Sequence, residues 1–286
     1  MKELREFNVE LKRELTNASD KFQKYRPKKF LGQNFLVDEN IAKKIVASLD
    51  IQKDDYVIEI GPGQSSLTKY LITLTDNFVA VELDKHIVEK LKAEGKIDVI
   101  HKDFLDLDFD KDIPKFTDKN KKLKIIGNIP YNITSQILFM LFDNSERVNS
   151  ALLMMQKEVA KRLTAVPNTK DYGILAIQTQ VFTTPKLLFN VPPTAFFPKP
   201  KIDSTVVKFE FHKVKHKIEN YPLFKSLVKA SFGQRRKTMR NSLKKFFEDN
   251  KLSFDNFDFD FSRRAESVSI EEYIQLNENI NKVIPK

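Results

Sequence analysis

Cysteine is absent from the 286 residues. Disulfides, thiolate nucleophiles and cysteine-ligated zinc are therefore excluded, and no metal site is expected. No apolar run reaches the length needed to span a membrane. Met1 to Asp20 interleave acids with bases and contain no apolar stretch, which is not the pattern of a secretory signal. Internal repeats and low-complexity tracts are also missing. What is present, 41% hydrophobic and 31% charged residues, suits a soluble chain with a packed core, large enough for one big domain and a small one. The expected location is the cytoplasm, with no membrane partner.

Acids are scarce in two places, and both matter. The net charge is +10, yet it is not evenly spread. Between Lys213 and Lys245 stand eleven basic residues, among them Arg235, Arg236, Lys237 and Arg240, against the single acid Glu219. A second cluster, Lys21, Lys24, Arg26, Lys28 and Lys29, contains no acid. Segregated positive charge displaces counterions from phosphates, so a nucleic-acid partner is favoured over a merely solvated surface. Lys28, Lys29, Arg235, Arg236, Lys237 and Arg240 are the candidate RNA contacts.

The middle of the chain alternates short apolar runs with amphipathic stretches. Tyr56–Ile60, Phe78–Val81, Asp98–Ile100, Leu123–Ile126 and Ala151–Met155 read as strands. Ile41–Leu49, Ser66–Leu74, Lys85–Ala93, Thr134–Phe142 and Glu158–Ala165 read as helices. This order predicts an α/β fold with a doubly wound, mostly parallel sheet. Past Ile177 the pattern changes. Val181-Phe182 and Val206–Phe211 read as two late strands, paired antiparallel at the sheet edge. Leu223–Phe232, Thr238–Phe247 and Ile270–Asn277 read as helices. The expected organisation is a polar extension over 1–24, a Rossmann-like domain over 25–212 and a basic helical domain over 213–286.

Three strand ends carry candidate ligand contacts. The first strand runs into Gly61-Pro62-Gly63-Gln64-Ser65-Ser66, where glycine allows a tight turn and a close approach to a ligand. Glu82 ends the next strand, 21 positions after Gly61, suited to accept two ribose hydroxyls. Asp103-Phe104 follow the third, a carboxylate for an adenine amino group and a ring to pack on it. The third glycine of a dinucleotide fingerprint is missing, with Ser65 in its place. That argues against NAD and suits S-adenosylmethionine, which carries no phosphate.

The fourth strand ends in Gly127-Asn128-Ile129-Pro130-Tyr131. The lone pair of an adenine N6 is delocalised into the ring. Methylating it calls for acceptors that hold both protons and favour a tetrahedral nitrogen, rather than for a strong base. The Asn128 amide oxygen and the Ile129 carbonyl suit that task. Pro130 stiffens the turn and Tyr131 offers a stacking face. Val191 to Lys201 is rich in proline, and Phe196 or Phe197 either forms a second wall around a flipped-out base or belongs to the core.

With these residues in place, the chain resembles the KsgA-type small-subunit ribosomal RNA adenine dimethyltransferases. Gly32-Gln33-Asn34-Phe35-Leu36, Glu59–Gly63, Asn128–Ile133, Gln156–Ala160, Phe196–Ser204 and Phe232–Asn241 carry the resemblance, in family order over roughly residues 25 to 245. It implies a Rossmann-like methyltransferase domain with a small all-helical C-terminal domain. It implies two N6 methylations on each of two adjacent adenines near the 3′ end of small-subunit rRNA, on an assembly particle; the chain is expected to be a monomer. It assigns Asn34, Leu36, Gly61, Glu82, Asp103 and Asn128 to the cofactor, with Gly63, Leu83 and Phe104 beside them. Asn128, Tyr131 and Phe196 would carry the base. Gly32 and the Arg235-Arg236-Lys237 stretch separate this family from the related large-subunit enzymes of macrolide resistance. The intact catalytic set argues against a transcription factor of the same ancestry. A DNA adenine methyltransferase is distinguished by its substrate.

Overall fold

The computed structural model describes residues 27–28, 32–113, 116, 118, 120–212 and 218–284. The polar extension over 1–24, and Lys21, Lys24, Arg26, Lys29, Lys213, Lys215 and Lys217 of the basic clusters, lie outside the described residues.

Seven strands form one sheet. In chain order these are β2 (Tyr56–Ile60), β3 (Phe78–Glu82), β4 (Asp98–His101), β5 (Leu123–Asn128), β6 (Val148–Gln156), β7 (Thr183–Val191) and β9 (Ser204–Phe211), in the spatial order β4-β3-β2-β5-β6-β9-β7. The first five are parallel, and β9 is antiparallel to both β6 and β7. A separate pair joins β1 (Phe35–Leu36) to β8 (Phe196–Phe197). Apolar residues alternate between two faces, as the period of a strand requires. Ile58, Val79, Ile125 and Leu153 pack under α4 (Thr134–Asp143) and α5 (Lys157–Leu163). Val57, Ala80, Ile126 and Leu152 pack under α1 (Glu39–Ala47) and α2 (Thr68–Leu71). Both faces are covered, so the strands read as continuous apolar runs.

The helices start where the sequence supplies caps. Asp38 accepts from the Ile41 N–H at the head of α1, and Asp84 from the His86 N–H at the head of α3 (Lys85–Glu94). The Ser66–Leu74 helix is only a single turn, Thr68–Leu71, because the chain before it is still turning. Ser65, in the third glycine's place, has φ 65°. A side chain in this left-handed region costs about 1 kcal/mol. Ser65→Gly is therefore expected to raise the melting temperature by a few degrees, and thermal unfolding checks it. A lowered value would show that the Ser65 side chain contributes more than the backbone strain removes.

Val181 and Phe182 are not strand. They end α6 (Ile174–Phe182), and β7 begins at the next residue, so the antiparallel edge pair is β7 with β9. The helix Ile174–Phe182 is bounded by core on several sides. Ala176, Ile177 and Val181 belong to a second core with α7 (Tyr221–Phe232), α8 (Met239–Asp249) and α9 (Ile270–Val283). Phe182 stacks on Phe142 of the sheet domain and meets Tyr221 of the helical core edge-on. The helical core thus recruits residues 165–181 from before position 213. Among the described residues, no helix is long and apolar enough to cross a membrane.

Candidate active site

Strand register alone brings the predicted residues together. Ile60 pairs with Val81 on one side and with Gly127 on the other, so Gly61, Glu82 and Asn128 emerge at one level. The chain order reverses between β2 and β5, and ligands of open α/β sheets bind at that crevice. A cavity of about 250 Å³ opens there. Gly61, Gly63, Glu82, Leu83, Asp103, Phe104, Asn128, Ile129, Pro130 and Tyr131 line it, and so do Asn34 and Leu36.

Glu82 is buried, and its two oxygens accept from the Gly63 N–H at 3.3 Å and the Asp84 N–H at 2.9 Å. Burial pushes its carboxyl above the ordinary range. Those two hydrogen bonds oppose this, and the Asp84 charge adds to it. Gly63 has no room for a side chain, since a Cβ would stand 2.9 Å from the Phe35 ring. Leu83 is 47% exposed, an apolar surface at the mouth. Asp103 caps the short 3-10 turn Phe104–Asp106, accepting from the Leu105 N–H at 2.9 Å, and still faces the cavity. The Phe104 ring is core, tilted against Phe109, with the cavity on one side. An acidic, partly apolar cavity of this kind fits a nucleoside that carries a positive charge.

At the end of β5, the Asn128 amide nitrogen donates to the Asn34 carbonyl at 2.7 Å. That bond fixes which end is nitrogen, so the acceptor oxygen is the end left for a ligand. The turn after it is tight, with the Thr134 hydroxyl and the Ile133 N–H both donating to the Pro130 carbonyl. The Tyr131 hydroxyl is 2.6 Å from Ser204 Oγ on β9, which sets the direction of the ring. Burial raises the Tyr131 pKa, so the phenol stays neutral.

Phe196 is 4% exposed and packs with Leu36, Val191 and Val206; its pairing partner Leu36 lines the cavity. Alternation along β8 turns one phenylalanine into the core, and the other, Phe197, is 40% exposed. The basic candidates also divide. Arg235 pairs with Glu266 at 3.3 Å and donates to the carbonyls of Tyr172, at 3.1 Å, and Lys170. It fastens one segment of the protein to another. Arg240 lies over the Phe254 ring and pairs with Asp255. Lys28 pairs with Asp84 at 2.9 Å. Arg236 and Lys237 are exposed and make no ion pair among the described residues. Replacing these two with Gln is expected to weaken RNA binding and shallow its salt dependence by about one to two in slope. Arg235→Gln should instead lower thermal stability. Salt titrations and melting curves separate them, and an unchanged slope in the double variant would show that Arg236 and Lys237 face away from RNA.

Two residues at the site, Glu59 and Ser204, were assigned no role from the sequence. Glu59 lines the cavity floor, is 2% exposed, and accepts from the Thr68 hydroxyl at 2.7 Å. Burial pushes its carboxyl up to about 8; the Thr68 bond opposes this and the Glu82 charge adds to it. The signal was a lone acid inside an apolar strand. Ser204 ends one of the stretches that carry the resemblance, but a serine at a strand start has many uses and pointed to no role.

Residues 24–282 match the family model for ribosomal RNA adenine dimethylase. A ribosomal RNA small subunit methyltransferase A of Francisella tularensis subsp. novicida is 39% identical, over 88% of this chain and 97% of its own length. A dimethyladenosine transferase structure from Plasmodium falciparum superposes with TM-score 0.70 at 24% identity, covering 87% of this chain and 98% of its own. The 23S rRNA methyltransferase ErmE superposes with TM-score 0.60 at 23% identity, covering 87% of this chain and all of its own. These two share the fold. With a match that spans both the sheet and the helical core, the chain belongs to the ribosomal RNA adenine dimethylase family, and it is a methyltransferase.

Proposed function

We propose that the chain dimethylates N6 of two adjacent adenines near the 3′ end of small-subunit rRNA, acting as a monomer on an assembling small subunit in the cytoplasm. The small-subunit target follows the name of the relative at 39% identity. The observation that carries the reaction is the Asn128 amide, fixed by the Asn34 carbonyl, at the rim of a cavity that also holds Glu82.

Glu82 would take the ribose hydroxyls of S-adenosylmethionine, Asp103 its adenine amino group, and Leu83 and Phe104 the faces of its ring. Asn34, Leu36, Gly61 and Gly63 would close around the rest. Bound there, the cofactor supplies an electrophilic methyl on a sulfonium. The chain does the remainder by positioning and electrostatics. The Asn128 oxygen and the Ile129 carbonyl accept hydrogen bonds from the two N6–H groups, which draws the lone pair out of conjugation, and the proton that the methyl replaces is lost to solvent. Tyr131, held by Ser204, stacks on the target ring. Pro130 keeps the two acceptors in register. Arg236 and Lys237 contact rRNA phosphates.

Labelled S-adenosylmethionine, offered to unmethylated small subunits with large-subunit rRNA and duplex DNA in parallel, tests the reading. Labelled dimethyladenosine from small subunits alone is expected. Label in large-subunit rRNA or in DNA would contradict it.

A further inference from the structure

Gly127, next to last in β5, has neighbours that leave no space for a side chain. A Cβ there would stand 2.8 Å from the Ile60 carbonyl oxygen, 3.0 Å from the Ile60 Cβ and 3.3 Å from the Ile129 Cγ2. The first of these is a backbone atom, so no change of rotamer relieves the contact. Backbone conformation does not call for glycine here. Gly32, Gly61, Gly63 and Gly95 have positive φ, and Gly127 does not. Glycine inside a strand weakens it and marks a place where another backbone approaches closely.

The close approach joins the two strand ends that build the site. Ile60 is the last residue of β2, and the cavity-lining Gly61-Pro62-Gly63 starts from it. Gly127 is followed by Asn128 and Ile129. Both strand bodies are held from their far sides. Ile60 pairs with Val81, and the Gly61 N–H donates to the Val81 carbonyl at 2.9 Å. Gly127 pairs with Leu153 and Asn128 with Met154 of β6, and Leu123, Ile125 and Ile126 are buried. Past Asn128 the hold is lighter. The Ile129 N–H reaches the Met154 carbonyl at 3.4 Å, and the turn borders the cavity. A group forced between Ile60 and Gly127 is therefore relieved at that turn.

We propose that Gly127 is a positioning residue for methyl transfer: its bare α-carbon lets the ends of β2 and β5 close on each other, and this spacing sets where the Asn128 oxygen and the Ile129 carbonyl stand relative to the Gly61–Gly63 loop. This rests on the cavity being the cofactor site and on those two oxygens being the amine acceptors. The rate is sensitive to such spacing, because a displacement of about 1 Å at a reacting centre can cost about a hundredfold. Cofactor affinity is less exposed to it. Glu82 ends β3 and Asp103 follows β4, both on the other side of β2 from the turn.

Gly127→Ala adds one methyl group and no charge. The full-length variant is titrated calorimetrically with S-adenosylhomocysteine, melted thermally, and assayed in single turnovers on unmethylated small subunits. Affinity should stay within about threefold of wild type, while the single-turnover rate falls about ten- to a hundredfold. Crowding also lowers the melting temperature. Val148→Ala is the control for that loss, because Val148 pairs with Leu123 at the start of β5 and does not line the cavity. It should lower the melting temperature and leave the rate within about twofold, with all assays run well below the melting temperatures. A wild-type rate in Gly127→Ala, a rate loss no larger than that of Val148→Ala, or an affinity loss as large as the rate loss would overturn the proposal. So would a Gly127→Ala chain with no cooperative melt, which would make Gly127 a requirement of the whole sheet. A wild-type chain that neither binds S-adenosylhomocysteine nor methylates small subunits would instead remove the reading beneath it.

Discussion

Asn128→Ala should lower kcat by about a hundred- to a thousandfold and leave rRNA binding within about twofold of wild type. The size follows from what the amide does. Its nitrogen is committed to the Asn34 carbonyl at 2.7 Å, so its oxygen is the acceptor presented to an amine. Alanine removes an acceptor needed only as the N6 nitrogen becomes tetrahedral. Such an interaction acts on the transition state and so appears in kcat. Binding is expected to persist because the exposed cations Arg236 and Lys237 lie on the segment between α7 and α8, far along the chain from β5. Asn128→Asp is the informative companion. It keeps an acceptor but turns a carboxylate oxygen toward the Asn34 carbonyl, so it should recover little activity. Single-turnover rates on small subunits, with filter binding alongside, check both. Normal turnover in Asn128→Ala would remove the residue from the reaction.

Glu59→Gln should stabilise the protein at alkaline pH and change little near pH 5. Burial pushes the Glu59 carboxyl up to about 8, against an ordinary 4.5. Between those values the folded chain holds a proton that the unfolded chain releases. Stability therefore falls as pH rises through that window, and it levels off above about 8. Glutamine has nearly the same shape, can accept the same Thr68 bond, and does not ionise. The wild-type loss across the window is on the order of a few kcal/mol, since each tenfold change in proton affinity corresponds to about 1.4 kcal/mol. The difference in melting temperature between the two proteins should open from pH 5 to pH 8.5 and then stay constant. A constant difference at all pH values would show that Glu59 is ionised throughout. Glu82 and Thr68 are the polar groups that act on it, so repeating the series in Thr68→Val should extend the window to higher pH.

Much of this was legible in the sequence because the parallel strands are buried on both faces. Tyr56–Ile60 and Leu123–Asn128 are apolar runs that stop at a glycine or an amide, and those stops are the site. The helix Ile174–Phe182 was illegible for the same kind of reason. It is enclosed by two cores, so even Gln178 and Thr179 are buried, no polar stripe marks an outer face, and Val181-Phe182 read as strand. Strand β7 carries Pro185, Lys186 and Asn190 at an edge, which hides its period. Charge counting grouped Arg235 with Arg236 and Lys237, because composition does not show that Arg235, 45% exposed, is also bonded to Glu266 and to two carbonyls. Of two adjacent phenylalanines, alternation decides which is core: Phe196 is 4% exposed and Phe197 40%, a parity the sequence does not mark. The pairing of Lys28 with Asp84, 56 positions away, leaves no mark in the sequence.

Mass spectrometry of the 3′-terminal rRNA fragment, cut from unmethylated small subunits after incubation with the protein and S-adenosylmethionine, tests the central claim most directly. The account predicts four added methyl groups, two on each of two adjacent adenines, and none in the Asn128→Ala reaction. An unmodified fragment from wild-type protein, or methyl groups confined to other bases, would contradict it.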